Sequence, residues 1–370
     1  MPEIILEHIS KKFDNFVAVD DLNLQIEDRG FVTLLGPSGC GKTTTLRMIA
    51  GLETPTTGRI LIDGKPVFDS TKGINLPPNK RDIGFLFQNY ALWPHMTVYD
   101  NIAFGLEMLK WDKKKIRSRV DEMLALLKIE PFEKRFPAEL SGGQQQRVAI
   151  ARTLAPSPKV LFMDEPLSNL DAKLRQEMRA ELKRLHSDTN STFVYVTHDQ
   201  LEAMTLSTRV CLMNTGVLQQ YSPPLTVYNR PINRFVAEFV GNPTMNFVDA
   251  RILSKTNETV LLETPLSSQP LTFQSDEPLE CVNENVVIGI RPEFLPISEN
   301  GFIHCKVYST LPTGMETTVK LIRENVSLTG VVFGAVDFSI DEAINVDIIG
   351  KGIVLFDGVS GQTIGFGSLS

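Results

Sequence analysis

The chain has 370 residues, enough for about two domains, and its 42% hydrophobic and 22% charged residues are typical of a globular protein with an ample core. It has no apolar run of the roughly 20 residues that cross a bilayer, and its first residues lack the basic flank and apolar core of a signal peptide. The net charge of −7 disfavours a nucleic-acid-binding protein, and the four scattered cysteines, Cys40, Cys211, Cys281 and Cys305, lack metal-site spacing and fit a reducing compartment.

Two β-prone stretches open the chain. Residues 4–9 and 17–26 are predicted as strands of a meander, and Phe13 lies between them. Two interpretations of Phe13 remain open, because hydrophobic periodicity does not separate them. It is either a hairpin aromatic that covers its own strands or a flat ring on which an adenine base stacks.

The next segment has the pattern of a phosphate-binding loop. Residues 31–35 are typical of a buried strand, residues 44–50 predict a helix that Gly51 ends, and the loop Gly-Pro-Ser-Gly-Cys-Gly-Lys-Thr-Thr lies between them. This order of strand, loop and helix predicts a P-loop, in which Lys42 reaches the β- and γ-phosphates and the Thr43 hydroxyl contacts Mg²⁺. The predicted nucleotide-binding residues of the loop are Gly36, Ser38, Gly39, Cys40, Gly41, Lys42, Thr43 and Thr44.

Cys40 has a predicted reactivity of its own. It lies at the predicted helix N-terminus beside Lys42, and both features lower a thiol pKa. We therefore expect thiol alkylation to inactivate the protein and ATP to protect it.

A further buried-type strand, residues 83–87, ends at Gln88. Ligands bind α/β folds at the carboxyl ends of strands, so the Gln88 amide oxygen is placed to meet a metal or water, although such a glutamine is more often a surface residue. The apolar loop of residues 90–96 is either buried core or a docking surface for a partner. Residues 111–128 then predict a charged amphipathic helix.

The string Leu-Ser-Gly-Gly-Gln at residues 140–144 begins a helix predicted to end near residue 154. Its Ser141-Gly142-Gly143 lead-in exposes helix N–H groups to an anion, so it is either a second phosphate site or a plain N-cap.

Polar residues follow two more predicted strands. The predicted strand that begins at residue 159 ends in paired carboxylates, Asp164 and Glu165. After a P-loop, we expect Asp164 to contact Mg²⁺ and Glu165 to be the base for the attacking water, whereas the alternative is an acidic turn after the strand. The second strand, residues 192–197, is followed by His198. A single histidine is usually an exposed surface residue, but at this position its imidazole could hydrogen-bond a γ-phosphate or orient the water. Between these strands, a predicted helix places an apolar stripe in the core: Leu174, Met178, Leu182 and Leu185.

In this order, the motifs resemble those of the ATPase subunits of ABC transporters, over about the first 240 residues. The resemblance implies the following roles: Phe13 stacks on adenine, residues 36–43 are the Walker A loop, Gln88 is the Q-loop and a metal contact, residues 140–144 are the signature motif, residues 160–164 are Walker B, Glu165 is the catalytic base, Asp171 is the D-loop and His198 is the switch histidine. It also implies that Ser141, Gly142, Gly143 and Gln145 act on the nucleotide of a second copy, so that a homodimer closes around two ATP molecules.

Within this family, residues 87–96, 167–175 and 197–204 are similar to importer subunits of the maltose and multiple-sugar type, although polyamine and ferric-ion importers share much of these stretches. The implied protein is a peripheral ATPase on the cytoplasmic face of the membrane. Residues 90–96 would dock a permease, and a substrate-binding protein would be served indirectly. The alternatives are a soluble ABC ATPase without a transport role and a regulatory binder that does not cleave ATP.

Residues 241–370 are chemically different, with 7 Lys and Arg against 16 Asp and Glu, a net charge of −9 that leaves +2 for residues 1–240. Short strands, clearest at 260–262, 286–291, 318–321 and 353–356, predict a small barrel. The segment resembles the OB-like regulatory domain of these importers, and its charge disfavours nucleic acid. The expected architecture is therefore an α/β P-loop NTPase (RecA-like core, antiparallel β-subdomain and helical subdomain) over 1–240 and an all-β OB-like barrel over 241–370.

Overall fold

The computed structural model describes residues 3–279 and 283–370, so Cys281 lies outside the described residues. The chain forms two compact units that divide between Pro224 and Leu225. The sequence places the domain boundary later, at residues 240/241. Two short helices account for the difference, because the backbone carbonyls of Tyr228 in the first and Ala237 in the second accept hydrogen bonds from the buried Arg291 of the second unit.

The first unit contains two sheets. Their strands are β1 Ile4–Phe13, β2 Phe16–Ile26, β3 Phe31–Leu35, β4 Thr57–Ile62, β5 Lys65–Asp69, β6 Ile74–Asn75, β7 Ile83–Leu86, β8 Val160–Asp164, β9 Thr192–Val196, β10 Arg209–Asn214 and β11 Val217–Ser222. One sheet is antiparallel, with the order β2-β1-β4-β5-β6, and the other has the order β11-β10-β3-β9-β8-β7. In the second sheet, β10, β3, β9, β8 and β7 are parallel and β11 is an antiparallel edge strand.

The central strands β3, β8 and β9 are buried at every position, as expected for parallel strands covered on both faces. Alternate residues enter different cores: Leu161 packs into one apolar cluster and Phe162 into the other. The carboxyl ends of these strands lie at one edge of the sheet, which is where α/β folds bind ligands.

Eight helices can be assigned in the described part of the chain: α1 Lys42–Ala50, α2 Val98–Met108, α3 Lys113–Leu126, α4 Gly142–Leu154, α5 Ala172–Asp188, α6 Gln200–Leu206, α7 Pro224–Asn229 and α8 Arg234–Phe239. The buried faces of α2, α3 and α4 share one apolar core, which forms the predicted helical subdomain. The sequence did not predict α2, which begins with a capping box between Thr97 and Asp100. None of the described helices has the length and apolarity needed to cross a membrane.

In its described residues, the second unit is all-β apart from α7, α8 and one short 3₁₀ turn at Pro292–Phe294. Its strands are β12 Asn246–Lys255, β13 Thr259–Glu263, β14 Leu271–Ser275, β15 Asn285–Ile290, β16 Ile303–Pro312, β17 Glu316–Arg323, β18 Val326–Phe333, β19 Ala343–Val346, β20 Ile353–Asp357 and β21 Thr363–Leu369. A closed barrel has the order β12-β13-β14-β21-β20-β15, and a four-stranded sheet has the order β18-β17-β16-β19. The predicted barrel is confirmed. An OB-fold has five strands, so the more specific OB-like assignment stays a prediction.

Candidate functional site

The loop between β3 and α1 is shaped by glycines that tolerate no side chain. Gly39 and Gly41 have left-handed backbone angles, with φ of +80° and +98°. A Cβ atom on Gly36 would lie 2.2 Å from the carbonyl oxygen of Met213, and one on Gly41 would lie 2.4 Å from that of Ala18. Gly41 is the N-cap of α1 and no side chain caps the helix, so the first N–H groups of α1 and the helix dipole are available to an anion.

The Lys42 ammonium is held inside this loop. Only 6% of the residue is exposed, and its Nζ donates to the carbonyl oxygens of Gly36 and Pro37, each at 2.8 Å. These acceptors are carbonyls rather than a carboxylate, so the charge of Lys42 is not neutralised by them and remains available to a phosphate.

The prediction for the Cys40 thiol was wrong. The residue is only 2% exposed, and burial raises the pKa of its thiol more than the nearby Lys42, whose Nζ is 3.6 Å from the sulfur, lowers it. The sulfur packs against the backbone at Gly36, where a Cβ would lie 2.7 Å away. Cys40 is therefore a packing residue of the loop with little thiolate character.

Thr43 and Asp164 lie together at the end of β8. The Thr43 hydroxyl donates to Asp164 Oδ1 at 3.0 Å, and Arg47 Nη2 is 3.4 Å from Asp164 Oδ2. Asp164 is 4% exposed, and burial raises the pKa of its carboxyl against the opposing effects of Thr43 and Arg47. Mg²⁺ binds oxygen ligands and usually shares them with the phosphates of a substrate, so a hydroxyl beside a desolvated carboxylate is a suitable pair of ligands for it.

Gln88 has a different set of partners in this structure. Its side-chain amide nitrogen donates to Ser168 Oγ at 3.3 Å, and its backbone carbonyl oxygen accepts from Asn169 Nδ2 at 3.0 Å. Ser168 Oγ in turn donates to the backbone carbonyl oxygen of Glu165 at 2.8 Å. Gln88 is thus tied to the turn that follows Glu165 rather than to Thr43 or Asp164.

Glu165 and His198 follow neighbouring strands. Asp164, the last residue of β8, lies opposite Val196, the last residue of β9, and the Glu165 N–H donates to the Val196 carbonyl at 3.1 Å. Glu165 has a left-handed backbone, with φ of 45°. Its Oε2 lies 3.4 Å from His198 Nδ1, with 23% of the Glu165 side chain and 61% of the His198 side chain exposed. The structure therefore brings the predicted base and histidine together.

A cavity of about 350 Å³ joins Phe13 to the P-loop. It is lined by Phe13, Phe16, Ala18, Ser38, Gly39, Gly41, Lys42, Thr43, Thr44 and Glu165. Phe13 is 42% exposed at the end of β1, and this position favours the adenine-stacking interpretation over a ring that covers its own strands. Sequence reasoning missed Phe16, which is 60% exposed and pairs with Phe13 across the hairpin. The spacing of two aromatics around a turn was the signal that could have found it.

The predicted signature residues are not among those that line this cavity. Ser141 caps α4 through a capping box with Gln144, and a Cβ on Gly143 would lie 2.6 Å from the side chain of Leu174 on α5. Gln145 donates from its amide to the carbonyl oxygens of Pro137 and Leu140, at 2.9 and 3.3 Å. Within one chain, this motif is therefore built separately from the P-loop.

Two further predicted residues have clear local roles. Gly142 adjoins Leu170, to which a Cβ on the glycine would come within 3.7 Å. The Asp171 side chain caps α5 by accepting from the Leu174 N–H at 3.0 Å. Neither contact by itself assigns a nucleotide to these residues.

Both interpretations of the apolar loop apply, to different residues. Tyr90 is 5% exposed and belongs to the core, while Pro94 and His95 are exposed. Arg152 of α4 donates to the carbonyl oxygens of Tyr90 and Ala91, each at 2.7 Å, and its guanidinium lies 4.8 Å from the Trp93 ring centroid. The loop is thus fixed at its start and accessible at its tip.

Comparisons with known proteins agree with this geometry. The family model described as ABC transporter matches residues 19–168. The trehalose/maltose import ATP-binding protein MalK of Thermococcus litoralis is 45% identical over 98% of this chain and 100% of its own length. The osmoprotective compounds uptake ATP-binding protein GgtA of Synechocystis is 48% identical over 79% of this chain and 78% of its own. A dimeric post-hydrolysis structure of the ATP-binding cassette MJ0796, bound to ADP and Pi, superposes with a TM-score of 0.52 at 33% identity, covering 60% of this chain and 98% of that one. The chain therefore belongs to the family of ABC transporter ATP-binding proteins and is an ATPase.

Proposed function

We propose that this ATPase powers an importer for a sugar or oligosaccharide. The observation that carries the proposal is the 45% identity to a trehalose/maltose import protein, because it extends over 98% of the chain and so includes the second unit. The protein acts on the cytoplasmic face of the membrane, bound to permease subunits through the tip of the loop of residues 90–96. A substrate-binding protein outside supplies the solute.

Each residue of the site has a separate task in ATP hydrolysis. Phe13 stacks on the adenine, and the P-loop N–H groups and Lys42 hold the phosphates. Thr43 and Asp164 would hold Mg²⁺, with Gln88 as a further contact in a closed state, and the bound ion would supply positive charge that neutralises the phosphates. Glu165 accepts the proton of the attacking water, and His198 orients that water and the γ-phosphate.

A second copy completes the site. At the N-terminus of α4, Ser141 and Gly142 are exposed and are not among the residues that line the cavity of their own chain. An exposed helix N-terminus favours an anion, and the partner's ATP supplies one. Asp171 lies at the same contact, so ATP closes the homodimer and hydrolysis lets it reopen.

The second unit is an OB-like regulatory domain that braces the dimer. Its net charge of −9 over residues 241–370 supports a protein or small-molecule partner and disfavours a nucleic-acid role.

Uptake measurements test the transport proposal. We expect a deletion of this chain in its host to abolish uptake of one labelled sugar, and expect the wild-type chain, but not Glu165→Gln, to restore it. The similarity to GgtA makes osmoprotective compounds the second candidate, so the panel includes one such compound, polyamines and ferric ion. Loss of polyamine or ferric-ion uptake alone would replace the sugar proposal, and unchanged uptake of every solute would favour a non-transport ATPase.

A further inference from the structure

The side chain of Arg175, near the start of α5, connects two segments of the site. Its Nη2 donates to the carbonyl oxygen of Leu170 at 3.1 Å, in the turn that leads to Asp171. On the other side, Nη1 is 3.7 Å from Asp199 Oδ2 and Nε is 4.0 Å from Glu202 Oε1. The guanidinium therefore lies between the turn before α5 and the segment that joins β9 to α6.

Glu202 lies beside this guanidinium, 4.0 Å from its Nε, and is hydrogen-bonded to the end of β9. The residue is 3% exposed, and its Oε2 accepts hydrogen bonds from the Tyr195 hydroxyl at 2.8 Å and the Thr197 hydroxyl at 2.6 Å. A carboxylate this buried requires both hydrogen bonds and a nearby cation to stay charged. Arg175 is the cation within ion-pair distance of it in the described residues.

Asp199 links the same guanidinium to the residue beside it, His198. Asp199 Oδ1 caps α6 by accepting from the N–H groups of Leu201 and Glu202, at 2.8 and 3.2 Å, while its Oδ2 faces Arg175. The Asp199 N–H donates to Thr197 Oγ1 at 3.0 Å. Since the His198 side chain is 61% exposed, its direction depends on this backbone more than on side-chain packing.

We propose that Arg175 is a positioning residue for ATP hydrolysis. It holds the Leu170–Asp171 turn against the segment of residues 197–199 and thereby fixes the backbone from which His198 faces Glu165. The inference rests on the proposed roles of His198 and Glu165. An arginine suits this place because its planar fork reaches acceptors on both segments, whereas a lysine ammonium is a single point charge.

The test is steady-state ATP hydrolysis by the full chain carrying Arg175→Met. We expect kcat to fall by at least about tenfold, since small displacements of a reacting group cost that much or more. The KM for ATP should stay within about twofold, because Arg175 is not among the residues that line the nucleotide cavity. Arg175→Lys should recover part of the loss. Arg184→Met is the matched control: the same change on the same helix, at a side chain that is 81% exposed.

A double variant separates positioning from folding. In Arg175→Met, Glu202 is left buried without its cation, and Glu202→Gln removes that charge while keeping an acceptor oxygen. We expect Arg175→Met/Glu202→Gln to regain thermal stability but not kcat. An unchanged kcat in Arg175→Met, or a kcat that the double variant restores to the wild-type value, would overturn the inference. His198→Ala is measured in parallel: if it keeps full kcat, the proposed role of His198 fails, independently of Arg175.

Discussion

The imidazole Nδ1 of His198 lies 3.4 Å from the carboxylate Oε2 of Glu165, across the ends of two adjacent parallel strands. The spacing follows from the sheet, since Asp164 and Val196 are opposite each other and each functional residue lies one or two positions beyond its strand. A carboxylate that takes a proton from water and an imidazole that orients the same water need this proximity.

Glu165→Gln should keep ATP binding and lose at least about 10²-fold in turnover, because the amide cannot accept the proton. Phosphate release measures turnover, and light scattering should show an ATP-bound dimer that accumulates because it cannot reopen. Glu177→Gln, an exposed position on α5, is the control and should keep its activity. Full turnover by Glu165→Gln would remove Glu165 from the role of base.

Asp164→Asn should increase stability while it reduces Mg²⁺-dependent hydrolysis. Burial raises the pKa of the Asp164 carboxyl. The folded state therefore binds the carboxyl proton more tightly than the unfolded state, and losing that proton as the pH rises lowers the free energy of unfolding. Urea unfolding without nucleotide should show the variant more stable at pH 7. The difference should shrink as pH falls through the raised pKa; a gap that widens in acid would contradict this account.

Arg81→Met should destabilise the first unit by about 3 kcal/mol, because charged hydrogen bonds to buried carbonyls are lost together. The guanidinium is 2% exposed and donates to the carbonyl oxygens of Met48 and Ile49, at 2.9 and 2.8 Å, at the end of α1. Burial lowers the pKa of Arg81 to about 10. Urea unfolding measures the change, and the exposed neighbour Lys80 provides the control Lys80→Met. Equal stability of the two variants would refute the capping role.

Cys40 should react slowly with iodoacetamide at pH 8, because burial both shields the thiol and raises its pKa. Mass spectrometry of the peptide that contains Cys40 measures the labelled fraction with time, and the urea-unfolded chain gives the reference rate. Labelling of the folded chain should be at least about tenfold slower than that reference. Rapid labelling that ATP suppresses would reinstate a reactive thiol.

His95→Glu should uncouple transport from hydrolysis without loss of stability, because His95 is exposed at the tip of the loop of residues 90–96. Trp93→Glu should instead lower stability as well, since the Trp93 and Phe104 ring centroids are 4.4 Å apart and Arg152 stacks on the indole. Uptake, isolated ATPase activity and melting temperature are compared for both variants. Normal uptake by His95→Glu would place the permease contact elsewhere.

The parts of the fold that the sequence predicts correctly are the short apolar strands that precede the distinctive polar residues of the candidate site. Phe31–Leu35, Val160–Asp164 and Thr192–Val196 are buried throughout, so composition alone indicates them, and their order along one sheet edge brings Glu165 and His198 together.

The errors and omissions come from burial and long-range contacts, which a linear pattern does not contain. The Cys40 thiol is two residues from a lysine in the sequence, but the folded chain buries it and so raises its pKa. Arg81 and Arg175 look like surface residues in the sequence, because the carbonyls and carboxylates that hold them come from distant segments. The helix α2 escaped prediction because its apolar stretch continues the apolar loop before it.

The hydrogen bonds from Arg152 to the carbonyl oxygens of Tyr90 and Ala91 connect the loop of residues 90–96 to α4. The helix has 13 residues and is therefore about 20 Å long, with Ser141 at one end and Arg152 near the other. Because the backbone hydrogen bonds of a helix keep its residues in fixed relative positions, we expect a displacement of the Tyr90 carbonyl to be transmitted through Arg152 to the Ser141 end of α4. One arginine near the end of α4 thus ties the loop proposed to contact the permease to the same helix whose other end is proposed to contact the partner's ATP.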